Sequence, residues 1–203
     1  MQATIIFVMV LLTALAIYFI LELPTPHPAG GVASLNAPAQ NQAPLPPSKI
    51  YSLTLGKLVS ESGADYQFPA DAPANAIQYY AIYYSAQWCP PCHAFTPKLV
   101  DWYNRFKPAH HNFELIFVSY DHDEASMLDY MKEMSMPWPA LEYEYVKHDG
   151  SGIEKYAGDG IPDLVLIDAD GNLLADSYQN GTYVGPQSAV DDIERIVGGG
   201  QRP

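Results

Sequence analysis

Trp88-Cys89-Pro90-Pro91-Cys92 holds both cysteines of this 203-residue chain. Two thiols separated by two residues at the start of a predicted helix are the layout of a dithiol that cycles through a disulfide. Unpaired backbone N–H groups at the helix N-terminus point at Cys89 and favour its thiolate. Cys92 sits one turn further in, where burial keeps it protonated. This asymmetry makes Cys89 the group that attacks a substrate disulfide and Cys92 the group that resolves the mixed disulfide. A purely structural disulfide is the weaker reading, because so short a loop restrains little unfolded-chain entropy. Half of a zinc site is weaker too. Zinc takes four ligands, no second cysteine pair exists, and His93 adds one candidate, so no metal is expected.

Elements must hold this pair in place. Residues 76–84 are rich in aromatic and β-branched side chains and read as a buried strand. Ser85-Ala86-Gln87 is a short connection, and a helix follows over 89–106. Phe95, Leu99, Trp102 and Phe106 recur at helical spacing as its core face. Pro90 and Pro91 lie in the first turn, where a missing N–H costs nothing. Pro97 lies inside the helix and predicts a kink. Phe113–Ser119 is a continuous apolar strand suited to a sheet centre. A helix over 124–134 starts at Asp123 as N-cap. Asp170-Gly171 marks a hairpin turn between strands 164–167 and 173–175, and an amphipathic helix over 187–197 stops at Gly198. The pattern is α/β, a central mixed sheet flanked by helices.

The segment from Tyr84-Ser85-Ala86-Gln87-Trp88 through Cys92-His93-Ala94-Phe95-Thr96-Pro97-Lys98-Leu99 resembles the active-site region of the tryparedoxin and nucleoredoxin branch of the thioredoxin superfamily. Leu55-Gly56-Lys57-Leu58-Val59 is similar to that branch's opening strand, and the segment from Phe113 through Asp121 to its next one. Met136-Pro137-Trp138 and Gly160-Ile161-Pro162 follow in the expected order, so the resemblance covers roughly 50–197. It implies a thioredoxin-like fold and a thiol-disulfide oxidoreductase that reduces protein or small-molecule disulfides. An upstream thiol donor would re-reduce the pair, and no cofactor beyond that disulfide is needed. It also implies a cis bond at Ile161-Pro162, facing the dithiol and presenting backbone groups to substrate, with Trp88, Pro90 and Pro91 on the rim. Without the resemblance, a trans proline at a strand start is the simpler reading. The alternatives kept open are an oxidase or isomerase and a copper chaperone on the same fold.

Three positions depart from the family pattern. Tyr83 stands where thioredoxins bury an acid, which leaves the proton acceptor for Cys92 unassigned. His93 replaces the usual Arg of tryparedoxins and either tunes the thiolate or is a solvated helix residue. Asp163 replaces the usual Thr after the proline and either tunes the dithiol or faces water.

Residues 4–21 are uncharged and apolar, long enough to span a bilayer as a helix. The expected organisation is a transmembrane signal anchor over 1–23, a Pro/Ala-rich linker over 24–48 and a thioredoxin-like domain over 49–203. Anchored bacterial thioredoxin-like proteins suggest a domain facing the periplasm or another extracytoplasmic side. A cleaved signal and a secreted domain form the alternative. Net charge is −13, of which the first 48 residues contribute only Glu22. An acidic domain argues against nucleic acid as a partner. Tyr143, Tyr145, Tyr156, Tyr178 and Tyr183 read as core and rim packing, and Asp121, Asp123, Glu124 and Asp149 as turn and cap residues.

Overall fold

Strand alternation divides the core into two layers. In β2 (Tyr79–Ser85), Ala81 and Tyr83 face one layer while Tyr80, Ile82 and Tyr84 face the other. β3 (Phe113–Ser119) behaves the same way and is buried along its whole length. Strands covered on both faces need mostly apolar side chains, which is why both read as near-continuous runs, with the buried Glu114 of β3 taken up by the Tyr103 hydroxyl at 2.6 Å. The computed structural model describes residues 48–68, 76–148 and 151–199.

β2 and β3 are parallel and paired from Tyr79–Phe113 through Ser85–Ser119. β5 (Asp163–Asp168) runs antiparallel on the other side of β2, with Tyr84 opposite Asp163. β6 (Leu173–Asp176) closes that edge, and β4 (Ala140–Leu141) and β1 (Leu58–Val59) close the other, giving the order β1-β4-β3-β2-β5-β6. α2 (Pro90–Phe106), α3 (Glu124–Glu133) and α5 (Pro186–Val197) cover one face through Leu99, Trp102, Met127, Tyr130, Val190 and Ile193. α1 (Lys49–Thr54) and α4 (Tyr143–Lys147) supply Ile50 and Val146 to the other. A two-stranded hairpin, β7 (Tyr178–Gln179) and β8 (Thr182–Tyr183), stands outside the main sheet.

The expected opening strand is corrected. Only Leu58–Val59 is extended, and Leu55 is the C-cap of α1. The Ser48 hydroxyl accepts the Tyr51 N–H at 2.9 Å and caps that helix, and Gly56 turns the chain out of it at φ 66°. Asp123 caps α3 as expected, accepting the Ser126 N–H at 2.7 Å. α2 runs through Pro97 without a break. The turn at Asp170-Gly171 is built by Asp168, whose carboxylate accepts the N–H groups of Asp170 at 3.0 Å and Asn172 at 2.8 Å.

Among the described residues, no helix is long and apolar enough to cross a membrane. The run 4–21, the Pro-rich stretch to 47 and Asp149 lie outside the described residues.

Candidate active site

Cys89 is the N-cap of α2, in extended conformation, with Pro90 and Pro91 exposed in the first turn. It is bonded to Cys92 in a disulfide with the Cα atoms 5.2 Å apart. The Cys92 N–H, the first in the helix after two prolines, is shared between Cys89 Sγ at 3.2 Å and the Cys89 carbonyl at 3.0 Å. Cys89 keeps 3% of its surface exposed and Cys92 none. The Ile161-Pro162 bond is cis, and the Ile161 carbonyl oxygen lies 3.8 Å from Cys89 Sγ. β5 sits beside β2, so its entry loop meets the end of the strand that leads into the dithiol.

Trp88 is also exposed, at 54%. Its indole N–H donates to the Tyr120 carbonyl at 3.0 Å, and its ring stacks on His122 with centroids 6.1 Å apart. Asp121 does more than close a turn. It is buried, accepts the Gln87 N–H at 2.7 Å and the Ser119 hydroxyl at 2.8 Å, and so ties the loop before Cys89 to the end of β3. Burial pushes its carboxyl above the usual range, against the pull of those donors.

Behind the pair, where an acid was missing, lies a set of buried hydroxyls. Thr96 Oγ1 is 2.8 Å from the Cys92 carbonyl, 2.8 Å from the Tyr83 hydroxyl and 2.7 Å from the Tyr130 hydroxyl. Ser85 Oγ is 3.1 Å from Tyr130. A hydroxyl donates once and accepts twice. Thr96 must donate to the carbonyl, so both tyrosines donate to Thr96 and Ser85 donates to Tyr130. Desolvation raises the Tyr83 and Tyr130 phenols, so both stay neutral.

His93 turns to the loop and α3. Its Nε2 meets the Gln87 carbonyl, and its Nδ1 is 3.9 Å from Glu133. Asp163 does not face water. It is fully buried, because its register places it opposite Tyr84 on the inner face of β5. One carboxylate oxygen accepts the Gly158 N–H at 2.7 Å, and the other has no hydrogen-bond partner among the described residues. Desolvation raises its pKa. Among the described residues, no three His, Cys, Asp or Glu side chains converge to hold a metal ion.

Tyr183 was read from sequence only as packing. Its hydroxyl donates to the Pro162 carbonyl at 2.8 Å. The Asn180-Gly181 dipeptide between Tyr178 and Tyr183 is a hairpin signal that marks this element in the sequence.

A family model described as thioredoxin-like matches residues 77–173. Human nucleoredoxin is 41% identical over 93 residues, covering 46% of this chain and 21% of its own length. The chain thus spans about a fifth to a quarter of the vertebrate nucleoredoxins it matches. Tryparedoxin from Trypanosoma brucei brucei is 34% identical over 113 residues, covering 56% of this chain and 70% of its own. A solved tryparedoxin II complexed with glutathionylspermidine is 27% identical with a TM-score of 0.54, covering 72% of this chain and 94% of its own. Identity of one third across most of a tryparedoxin's length establishes kinship as well as fold, and the chain belongs to the thioredoxin superfamily, in its tryparedoxin and nucleoredoxin branch.

Proposed function

We propose that this protein reduces disulfides through Cys89 and Cys92. The observation that carries the reading is the Cys92 N–H aimed at Cys89 Sγ from the first turn of α2, beside the open Ile161 carbonyl. That donor and the helix N-terminus favour a thiolate on Cys89. The thiolate attacks one sulfur of a substrate disulfide. The S–S bond breaks, and the departing thiolate takes a proton from water. Cys92 then loses its proton and attacks Cys89 Sγ, and the second substrate sulfur leaves. Two electrons pass to the substrate, and the Cys89–Cys92 disulfide closes. A thiol donor reopens it by the reverse exchange. The tryparedoxin II complex with glutathionylspermidine supports a glutathione-type thiol as the small-molecule partner class. Asp163, bonded to the Gly158 N–H, and His93, on the Gln87 carbonyl, are the groups proposed to tune the pair. The uncharged run 4–21 supports a membrane anchor, and an extracytoplasmic domain is proposed only by analogy with anchored bacterial thioredoxin-like proteins.

Trapping with a protein disulfide such as that of insulin tests the roles. Cys92→Ser should accumulate a mixed disulfide and Cys89→Ser none, and trapping by Cys89→Ser would reverse the assignment. Equilibration with glutathione tests the direction. A reductant should poise at or below the glutathione pool, about −240 mV, and a value near the about −120 mV of a strong dithiol oxidant overturns reduction.

A further inference from the structure

The segment 158–164 carries the backbone that meets Cys89, and the small hairpin outside the sheet grips it at three points. At its base, Ser177 Oγ bonds both the N–H and the carbonyl of Leu164, at 2.8 and 2.9 Å. The Ser177 carbonyl in turn accepts the N–H groups of Val184, at 2.8 Å, and Gly185, at 3.2 Å. Along its length, the Tyr178 ring lies against the Gly158 backbone so closely that a Cβ there would sit 2.1 Å from it. Opposite Tyr178 on the second strand, Tyr183 donates to the Pro162 carbonyl. The two rings brace each other, with centroids 5.1 Å apart. Gln179 ties the hairpin to α5 through Ser188 Oγ at 3.0 Å.

We infer that Tyr183 is a positioning residue for disulfide exchange: its hydroxyl, carried on the hairpin, fixes the Pro162 peptide and thereby aims the Ile161 backbone groups at an extended polypeptide passing Cys89. The inference rests on the proposed reduction of disulfides. It assigns the hairpin to the selection of polypeptide substrates, which pair through backbone groups. A small disulfide makes no such pairing and is indifferent to it. Tyr183 itself remains 46% exposed.

The test compares the full chain with its Tyr183→Phe variant on two substrates, insulin and bis(2-hydroxyethyl) disulfide. Loss of one aimed hydrogen bond should raise KM for insulin about fivefold with kcat little changed. Turnover of the small disulfide and the pH profile of Cys89 alkylation should stay within about twofold of wild type. An unchanged KM for insulin overturns the role of Tyr183. Equal losses on both substrates also overturn it, because they mark a merely structural residue. A wild-type chain that reduces neither disulfide overturns the proposed function instead, and the inference with it.

Discussion

Thr96 is a small side chain with three demands on one oxygen. It donates to the Cys92 carbonyl and receives two buried phenols. Thr96→Val keeps the shape and leaves the buried Tyr83 hydroxyl without its partner, while Tyr130 keeps only Ser85. The expected cost is about 2–3 kcal/mol, read as a lowered urea midpoint at unchanged m-value. A loss below about 0.5 kcal/mol would show that the hydroxyls find other partners. Asp163 yields a prediction in pH. Its folded pKa is raised by desolvation, so the folded state binds this proton more tightly than the unfolded chain. Its contribution is fully present below the unfolded carboxylate pKa of about 3.9 and is lost as pH climbs through the raised value. Relative to Asp163→Asn, the wild type should therefore be most stable near about pH 3.5 and lose ground towards neutrality. Paired urea titrations across that range give the difference, and a difference that grows with pH would contradict it. At this scale the sequence is legible where spacing alone brings side chains together, as in the Cys89–Cys92 disulfide. Asp121 and Tyr183 matter through partners far away in the chain, Gln87 and Pro162, and no local pattern announces those.

The glycines of the hairpin region separate two kinds of constraint. Gly181 sits at φ 75° with nothing near a would-be Cβ, so Gly181→Ala costs only the left-handed backbone, about 1 kcal/mol. Gly158 has no positive φ, yet a Cβ would strike the Tyr178 ring. Gly158→Ala should cost more, up to about 3 kcal/mol, and should slow insulin reduction by displacing the loop over Cys89. Thermal denaturation of the pair ranks them, and a reversed ranking would mean that Tyr178 moves away freely. Long elements were readable for the same physical reason that they are stable. β3 and α2 bury enough surface to leave a pattern in composition or period. α1, β4 and α4 are two to six residues long, too short for any period, and exist because neighbours hold them. The strand expected over 55–59 failed on that ground, since Ser48 and Gly56 set the local path more strongly than β-propensity does.

The whole chain carries its net charge of −13 almost entirely after residue 48. Proposed as an anchored protein, the full chain should sediment with membranes and resist carbonate extraction. Recovery of a shortened chain in the soluble fraction would favour a cleaved leader instead. Salt offers a second check on the acidic domain. Its reaction with a basic protein disulfide should slow as ionic strength rises, while reaction with a neutral one should not.

The sulfur proposed as nucleophile sits low in this surface, with 3% of Cys89 exposed between Trp88 and Ile161. Sulfurs buried in a tightly folded client stay out of its reach. A thin loop, a frayed terminus or a chain that has not finished folding can be lowered onto it. On the proposed chemistry, selection is therefore by architecture. Bridges on yielding segments are cut first, bridges inside finished cores are spared, and each client's own folding withdraws it from the reaction.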